Sequence, residues 1–119
     1  MTSTLDDAVR LRFDGASAAC TVEVAIAVFD QIAASMDADV AVLDALGDLL
    51  GDAVACAHRH GLRSIEVRPD DGRVIVDLGL GREAESELAV FGDAIDDIST
   101  LFHVSRPSST LVRLDAAVR

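Results

Sequence analysis

The 119 residues are half apolar, enough for one packed core and too few for two, because independent domains usually run to about 100–150 residues. Acidic residues outnumber basic ones 21 to 10, and a net charge of −11 would repel a phosphate backbone, which excludes direct nucleic-acid binding as the expected role. Met1 to Phe13 lacks the layout of a signal peptide and no apolar run approaches the roughly 18 residues of a membrane span, so a cytoplasmic protein with no membrane role is expected.

Aromatics make up only 3% of the chain, with four Phe and no Trp or Tyr, so the core must be built from Val, Leu, Ile and Ala. Such small side chains allow helices to pack closely. Every basic residue is Arg, and this together with the abundant Ala, Val and Asp suggests a GC-rich bacterial genome. The acidic surface favours solubility and a basic protein partner.

In chain order, Val9 to Phe13 alternates apolar and charged residues, the period of a strand with one buried face, and Asp14-Gly15 ends it. From Cys20 to Met36, Val24, Val28 and Ile32 recur at four-residue spacing beside Phe29, which predicts a helix; Asp37 and Asp39 break it and supply a new N-cap. A longer helix begins near Val40, carries Leu43, Leu46, Leu50, Ala53, Val54 and Ala57 on one face, and stops at Gly61. His58, Arg59 and His60 in its last turn suit the negative end of the helix dipole.

Ser64 to Arg68 and Val74 to Asp77 flank Pro69-Asp70-Asp71-Gly72, which predicts an antiparallel hairpin, and the second strand continues into Leu78-Gly79-Leu80-Gly81. A polar stretch from Arg82 to Glu87 precedes a helical segment from about Leu88 to Ile98. Phe102 to Ser105 and Thr110 to Leu114 then form a second hairpin around Arg106-Pro107-Ser108-Ser109. Helices followed by hairpins argue for an α+β sandwich, with helices on one face of a mixed, mostly antiparallel sheet. Cys20 and Cys56 lie in Ala/Val-rich helical text and read as reduced core thiols.

Asp52, Cys56 and His60 are spaced by four on the long helix and share a face, and the hairpin that follows ends in Asp77-Leu78-Gly79-Leu80-Gly81. This constellation resembles the GHKL ATPase superfamily, most closely the anti-sigma-factor serine kinases, in which a long helix carries Glu-x-x-x-Asn-x-x-x-His and the hairpin ends Asp-x-Gly-x-Gly. The resemblance covers nearly the whole chain in element order. It implies one histidine kinase-like ATPase domain over residues 1–119, in which Asp77 would accept from the adenine amino group while Gly79 and Gly81 let backbone pass close to the nucleotide. Cys56 and His60 would line the facing helix, and Asp52 would stand at the general-base position.

The departures from the family's pattern concern chemistry. Cys56 replaces the Asn whose amide oxygen holds magnesium, and a thiol is a poor ligand for a hard cation. Asp52 replaces a Glu and is shorter by one methylene, which withdraws the carboxylate from an attacking hydroxyl. The glycine-rich lid over the phosphates is not recognisable; Gly92 stands alone, and Glu83, Glu85, Glu87 and Asp93 would crowd a triphosphate. Both the lost ligand and the lost lid count against phosphoryl transfer.

The resemblance therefore implies a regulatory pseudo-kinase that binds a sigma factor, an anti-sigma antagonist or a partner kinase-like domain, with dimer formation also a family trait. No metal is expected, and ATP with magnesium only if the site is functional. Two alternatives stand beside it: an active ATP-dependent protein serine kinase and anti-sigma factor, and an unrelated small α+β interaction domain in which the motif is coincidence. Zinc held by Cys56 and His60 with Cys20 or His103 is a further arrangement of suitable ligand types. A core thiol and a helix-capping imidazole explain the same two helical residues without a metal.

Overall fold

The computed structural model describes residues 8–13, 15 and 17–118. Met1 to Asp7, within the stretch read against a signal peptide, and Asp14 of the strand-ending pair lie outside the described residues. The chain order is β1 (Val9–Arg12), α1 (Ala18–Ala34), α2 (Val40–Arg59), β2 (Leu62–Asp70), β3 (Arg73–Leu80), α3 (Glu87–Phe91), α4 (Ala94–Ile98), β4 (His103–Ser108) and β5 (Leu111–Ala117). The five strands form one sheet in the order β1-β2-β3-β5-β4, and every neighbouring pair is antiparallel. The expected α+β layering is present, with a purely antiparallel rather than mixed sheet.

Local chemistry accounts for the element ends. Ser17 Oγ accepts from the Cys20 amide at the start of α1, and Asp39 Oδ1 accepts from the Ala41 amide at 2.9 Å to start α2. The β2–β3 turn places Asp71 at φ 47° and Gly72 at φ 83°, the two successive positive φ values of a type I′ hairpin. Arg73 pairs with Asp70 across it, so both strands run further than their apolar runs alone suggest. The single helix expected from Leu88 to Ile98 is two short ones, because Gly92 adopts φ 57° and interrupts the backbone ladder between α3 and α4.

Side-chain alternation sorts the sheet into two faces. Val9 and Leu11 pair with Val67 and Ile65, while Val74, Val76, Leu78, Val112, Leu114 and Ala116 continue the same apolar surface across the centre. Over it lie Ala25, Phe29 and Ala33 of α1 and Leu46, Leu50, Ala53, Val54 and Ala57 of α2, all buried. Gly47 and Gly51 of α2 face Ile26 of α1, so the two helices approach closely there.

Phe29 and Phe102 meet edge to face in this core, with ring centroids 6.3 Å apart, and both are nearly inaccessible. With four Phe in the whole chain, that pair supplies much of the large apolar volume. Phe29→Ala is expected to cost about 3–5 kcal/mol, the range for emptying a packed aromatic site. Urea unfolding of the two proteins measures it, and a cost under about 1 kcal/mol would contradict this packing.

Candidate functional site

The apolar residues of β3 facing the helices are Val74, Val76 and Leu78. Asp77 is out of phase with them and in phase with Arg73 and Ile75, so its carboxylate emerges on the sheet face that carries no helix. Asp77 thus lies on the sheet face opposite α2, which carries Cys56 and His60. The strand runs unbroken through Asp77 to Leu80, and the two halves of the motif lie on opposite sides of the sheet.

On the open face, cross-strand neighbours dictate Asp77's partners. Arg113 is directly opposite it on β5, and Glu66 is opposite on β2. Arg113 Nε donates to Asp77 Oδ1 at 2.8 Å; Arg113 Nη2 and Arg68 Nη1 donate to Oδ2 at 3.2 and 2.7 Å. Glu66 accepts from Arg10 Nε and Nη2 at 2.9 and 2.6 Å and from Arg68 at 3.2 Å, which links four strands through charged side chains. A separate pair joins Arg73 Nε to Asp115 at 2.6 Å.

Burial by itself would raise the Asp77 pKa, because the residue is only 8% exposed. Hydrogen bonds from Arg113 and Arg68, with their positive charges, outweigh that and hold it below the ordinary value of 3.8. Arg113 in turn is held above its ordinary value, chiefly by its hydrogen bond to Asp77. Asp77 is therefore an ion-pair hub whose two oxygens are both engaged, rather than a carboxylate presented to a base.

The glycines of the motif serve chain packing. A Cβ on Gly79 would run into Ser64 Oγ, and one on Gly81 would lie 2.9 Å from the Gly61 carbonyl oxygen, to which the Gly81 amide already donates. Close approach is required at both, but to the protein's own β2 strand and the end of α2.

On α2, Asp52 is exposed. Cys56 is buried, its thiol 3.7 Å from the Phe91 carbonyl oxygen and 3.3 Å from Arg59 Nη2. His60 forms the C-cap, and its buried Nε2 has no hydrogen-bond partner among the described residues. Phe91, itself 2% exposed, meets the thiol through its main-chain carbonyl. Cys20 is exposed at the start of α1 and His103 stands on β4, so the combination of ligand types considered for zinc is dispersed; among the described residues no three His, Cys, Asp or Glu side chains group as a metal site.

The segment from Arg82 to Ser86, where a lid would begin, is pinned at several points. The Ala84 amide donates to the Ser109 carbonyl oxygen at 2.8 Å, Arg106 donates to the carbonyl oxygens of Ala84 and Glu85, and Arg82 Nη2 donates to that of Arg59 at 3.0 Å. Ala84 is buried beneath these bonds.

A cavity of about 510 Å³ opens on the helix-free face, lined by Arg10, Arg12, Arg63, Ser64, Glu66, Asp77 and Leu111. A second, of about 430 Å³, lies between the end of α4 and strands β4 and β5. Neither is lined by Asp52, Cys56 or His60. Of the motif from Asp77 to Gly81, Asp77 alone lines the first cavity. Arg10 and Arg12, with Arg68 and Arg113 beside the cavity, are signalled by alternation in Val9-Arg10-Leu11-Arg12, Ser64-Ile65-Glu66-Val67-Arg68 and Leu111-Val112-Arg113-Leu114, which puts charged residues on one face of three strands, whereas Arg63 falls at the register irregularity between Leu62 and Ser64. No protein-family model matches this chain, and no curated protein matches it.

Because Asp77's pKa is depressed in the folded chain, the unfolded chain takes up the proton first as pH falls. Its ion pairs stabilise the fold fully above about pH 5, and that contribution is lost progressively as pH drops through 3.8 toward the lower folded value. The stability gap between the native protein and Asp77→Asn, from urea unfolding at several pH values, should shrink below about pH 4. A gap independent of pH would remove charge as its cause.

Gly81→Ala, which meets backbone, is expected to destabilise by about 2–3 kcal/mol, and Gly79→Ala, which meets a rotatable hydroxyl, by about 1 kcal/mol. Thermal unfolding of both variants gives the order; the reverse order would contradict these contacts.

Proposed function

We propose that this chain is a cytoplasmic regulatory domain that works by binding another protein, with the nucleotide chemistry of the kinases it resembles lost. The observation that carries this reading is the direction of Asp77. The carboxylate that would read adenine points away from α2 and is occupied by Arg68 and Arg113, while the helical positions that would handle magnesium and the hydroxyl lie beyond the sheet. The oxygen ligand is absent at Cys56, and the segment that would become a lid is fastened to β4 and to its turn.

What the domain offers a protein partner is a charged helical layer. Glu23 and Asp30 of α1 and Asp44, Asp48 and Asp52 of α2 are all exposed, and the last three recur at four-residue spacing along one stripe. Asp30's pKa is raised, first by partial desolvation and then by the nearby Asp44 carboxylate. Val40 and Val42 add exposed apolar surface at the start of α2. Such a surface suits a basic partner, and within the resemblance that partner is a sigma factor, an antagonist or a related kinase-like domain.

The orientation of Asp77 also favours a second reading: an α+β interaction domain with no functional link to nucleotide-binding proteins. The two share the same expected behaviour toward nucleotides and differ in the partner.

Isothermal titration with adenosine, and with ATP in the presence and absence of magnesium, tests the loss of nucleotide chemistry. Adenosine isolates recognition of the base from attraction of phosphates. The expected result is no adenosine binding and no strengthening of ATP binding by magnesium. Micromolar adenosine binding abolished in Asp77→Asn, or phosphate transfer from ATP to a serine, would restore the kinase reading.

A further inference from the structure

The cavity on the helix-free face has its donors and acceptors in different states. Both carboxylates lining it are occupied: Glu66 by Arg10 and Arg68, and Asp77 by Arg68 and Arg113. Arg12 and Arg63, which line the same cavity, make no ion pair among the described residues. The Ser64 hydroxyl, also in the lining, has no hydrogen-bond partner among them. The absence of a side chain at Gly79 gives that hydroxyl its room, and Arg63's Nε lies 3.2 Å from where a Gly81 Cβ would be.

Among the described residues, the cavity therefore presents free donors and no free carboxylate. A metal cation would find no available ligand of its preferred kind, whereas an anion would find two guanidinium groups and a hydroxyl. Counting the arginines that hold the carboxylates, among the described residues five guanidinium groups (Arg10, Arg12, Arg63, Arg68, Arg113) face two acids, a local surplus of three positive charges in a chain whose net charge is −11. At physiological ionic strength the Debye length is about 8 Å, so an anion inside the cavity responds mainly to these neighbours and not to the distant acidic helices.

We propose that this cavity is a binding site for a phosphate group. A phosphate offers several acceptor oxygens and up to two charges, which two guanidinium forks and a hydroxyl can engage together; a single carboxylate would leave part of that donor set unused. The volume, about 510 Å³, falls within the usual range for small-ligand sites. Binding requires neither magnesium nor an adenine base, so it is independent of the protein-binding role proposed above.

Inorganic phosphate and pyrophosphate, titrated into the full chain and followed through arginine side-chain and backbone NMR signals, test the site, with acetate at matched ionic strength as comparator. Shifts should concentrate at Arg12, Arg63 and Ser64. The double variant Arg12→Gln/Arg63→Gln, which keeps the side-chain stems and removes the charges, should weaken binding by about tenfold or more. Asp77→Asn releases Arg113, leaves Arg68 paired with Glu66 alone, and should tighten it several-fold, opposite to the loss expected if Asp77 read a nucleotide base. A circular dichroism spectrum of each variant establishes that it is folded, and Ser64→Ala supplies a milder change should the double variant unfold. Equal affinity for acetate, shifts scattered over the surface, or phosphate binding unchanged in the folded arginine or serine variants would overturn the proposal.

Discussion

A sheet covered by helices on only one side obliges each strand to divide its residues by parity, and β3, with a neighbour on both edges, obeys this most strictly. Val74, Val76 and Leu78 enter the core, so Arg73, Ile75, Asp77 and Gly79 belong to the other face. A slip of one residue would bury a carboxylate among Leu46, Leu50 and Val54 and expose three apolar side chains. Desolvating an unpaired charge is far more costly than arranging partners for it. Asp77's direction is thus set by the core on the opposite face, and Arg68 and Arg113 complete it from neighbouring positions.

The same division separates charge. α1 and α2 carry the exposed acids Glu23, Asp30, Asp44, Asp48 and Asp52 with Arg59 as their single arginine, whereas arginines on β1, β2, β3 and β5 share the open face with Glu66, Asp77 and Asp115. The carboxylates on that face are held in ion pairs, leaving Arg12 and Arg63 as available donors among the described residues. A net charge of −11 describes the chain as a whole and conceals two surfaces with different electrostatic preferences. The helical layer suits a basic protein surface, and the sheet face suits a compact anion.

The face of α2 that carries Cys56 and His60 is used internally. The Phe91 carbonyl oxygen accepts from the thiol, Arg59 donates to the sulfur, and the main chain after β3 is tied to β4 through Arg106 and to the β4–β5 turn through Ser109. Cys56 behaves as the small apolar side chain its Ala-rich surroundings suggest, and the glycines after Asp77 accommodate Ser64 and Gly61.

Local periodicity and turn chemistry were sufficient to read most of this fold: the Ser64–Asp77 hairpin from Asp71-Gly72, the long helix from its Leu and Ala spacing, and the α+β layering from element order. Asp77's face is legible too, since it is two residues from Ile75 and out of step with Val74, Val76 and Leu78. Other features depend on separations no local pattern encodes. The meeting of Arg113 with Asp77 arises because β5 inserts beside β3, leaving β4 at the edge. The convergence of Arg12, Arg63 and Ser64 likewise depends on the β1–β2 register and the irregularity between Leu62 and Ser64. Sequence by itself determined which residues each strand turns inward, because burial follows a two-residue period; tertiary structure alone decided which charges meet, because strand order and register bring together residues far apart in the chain.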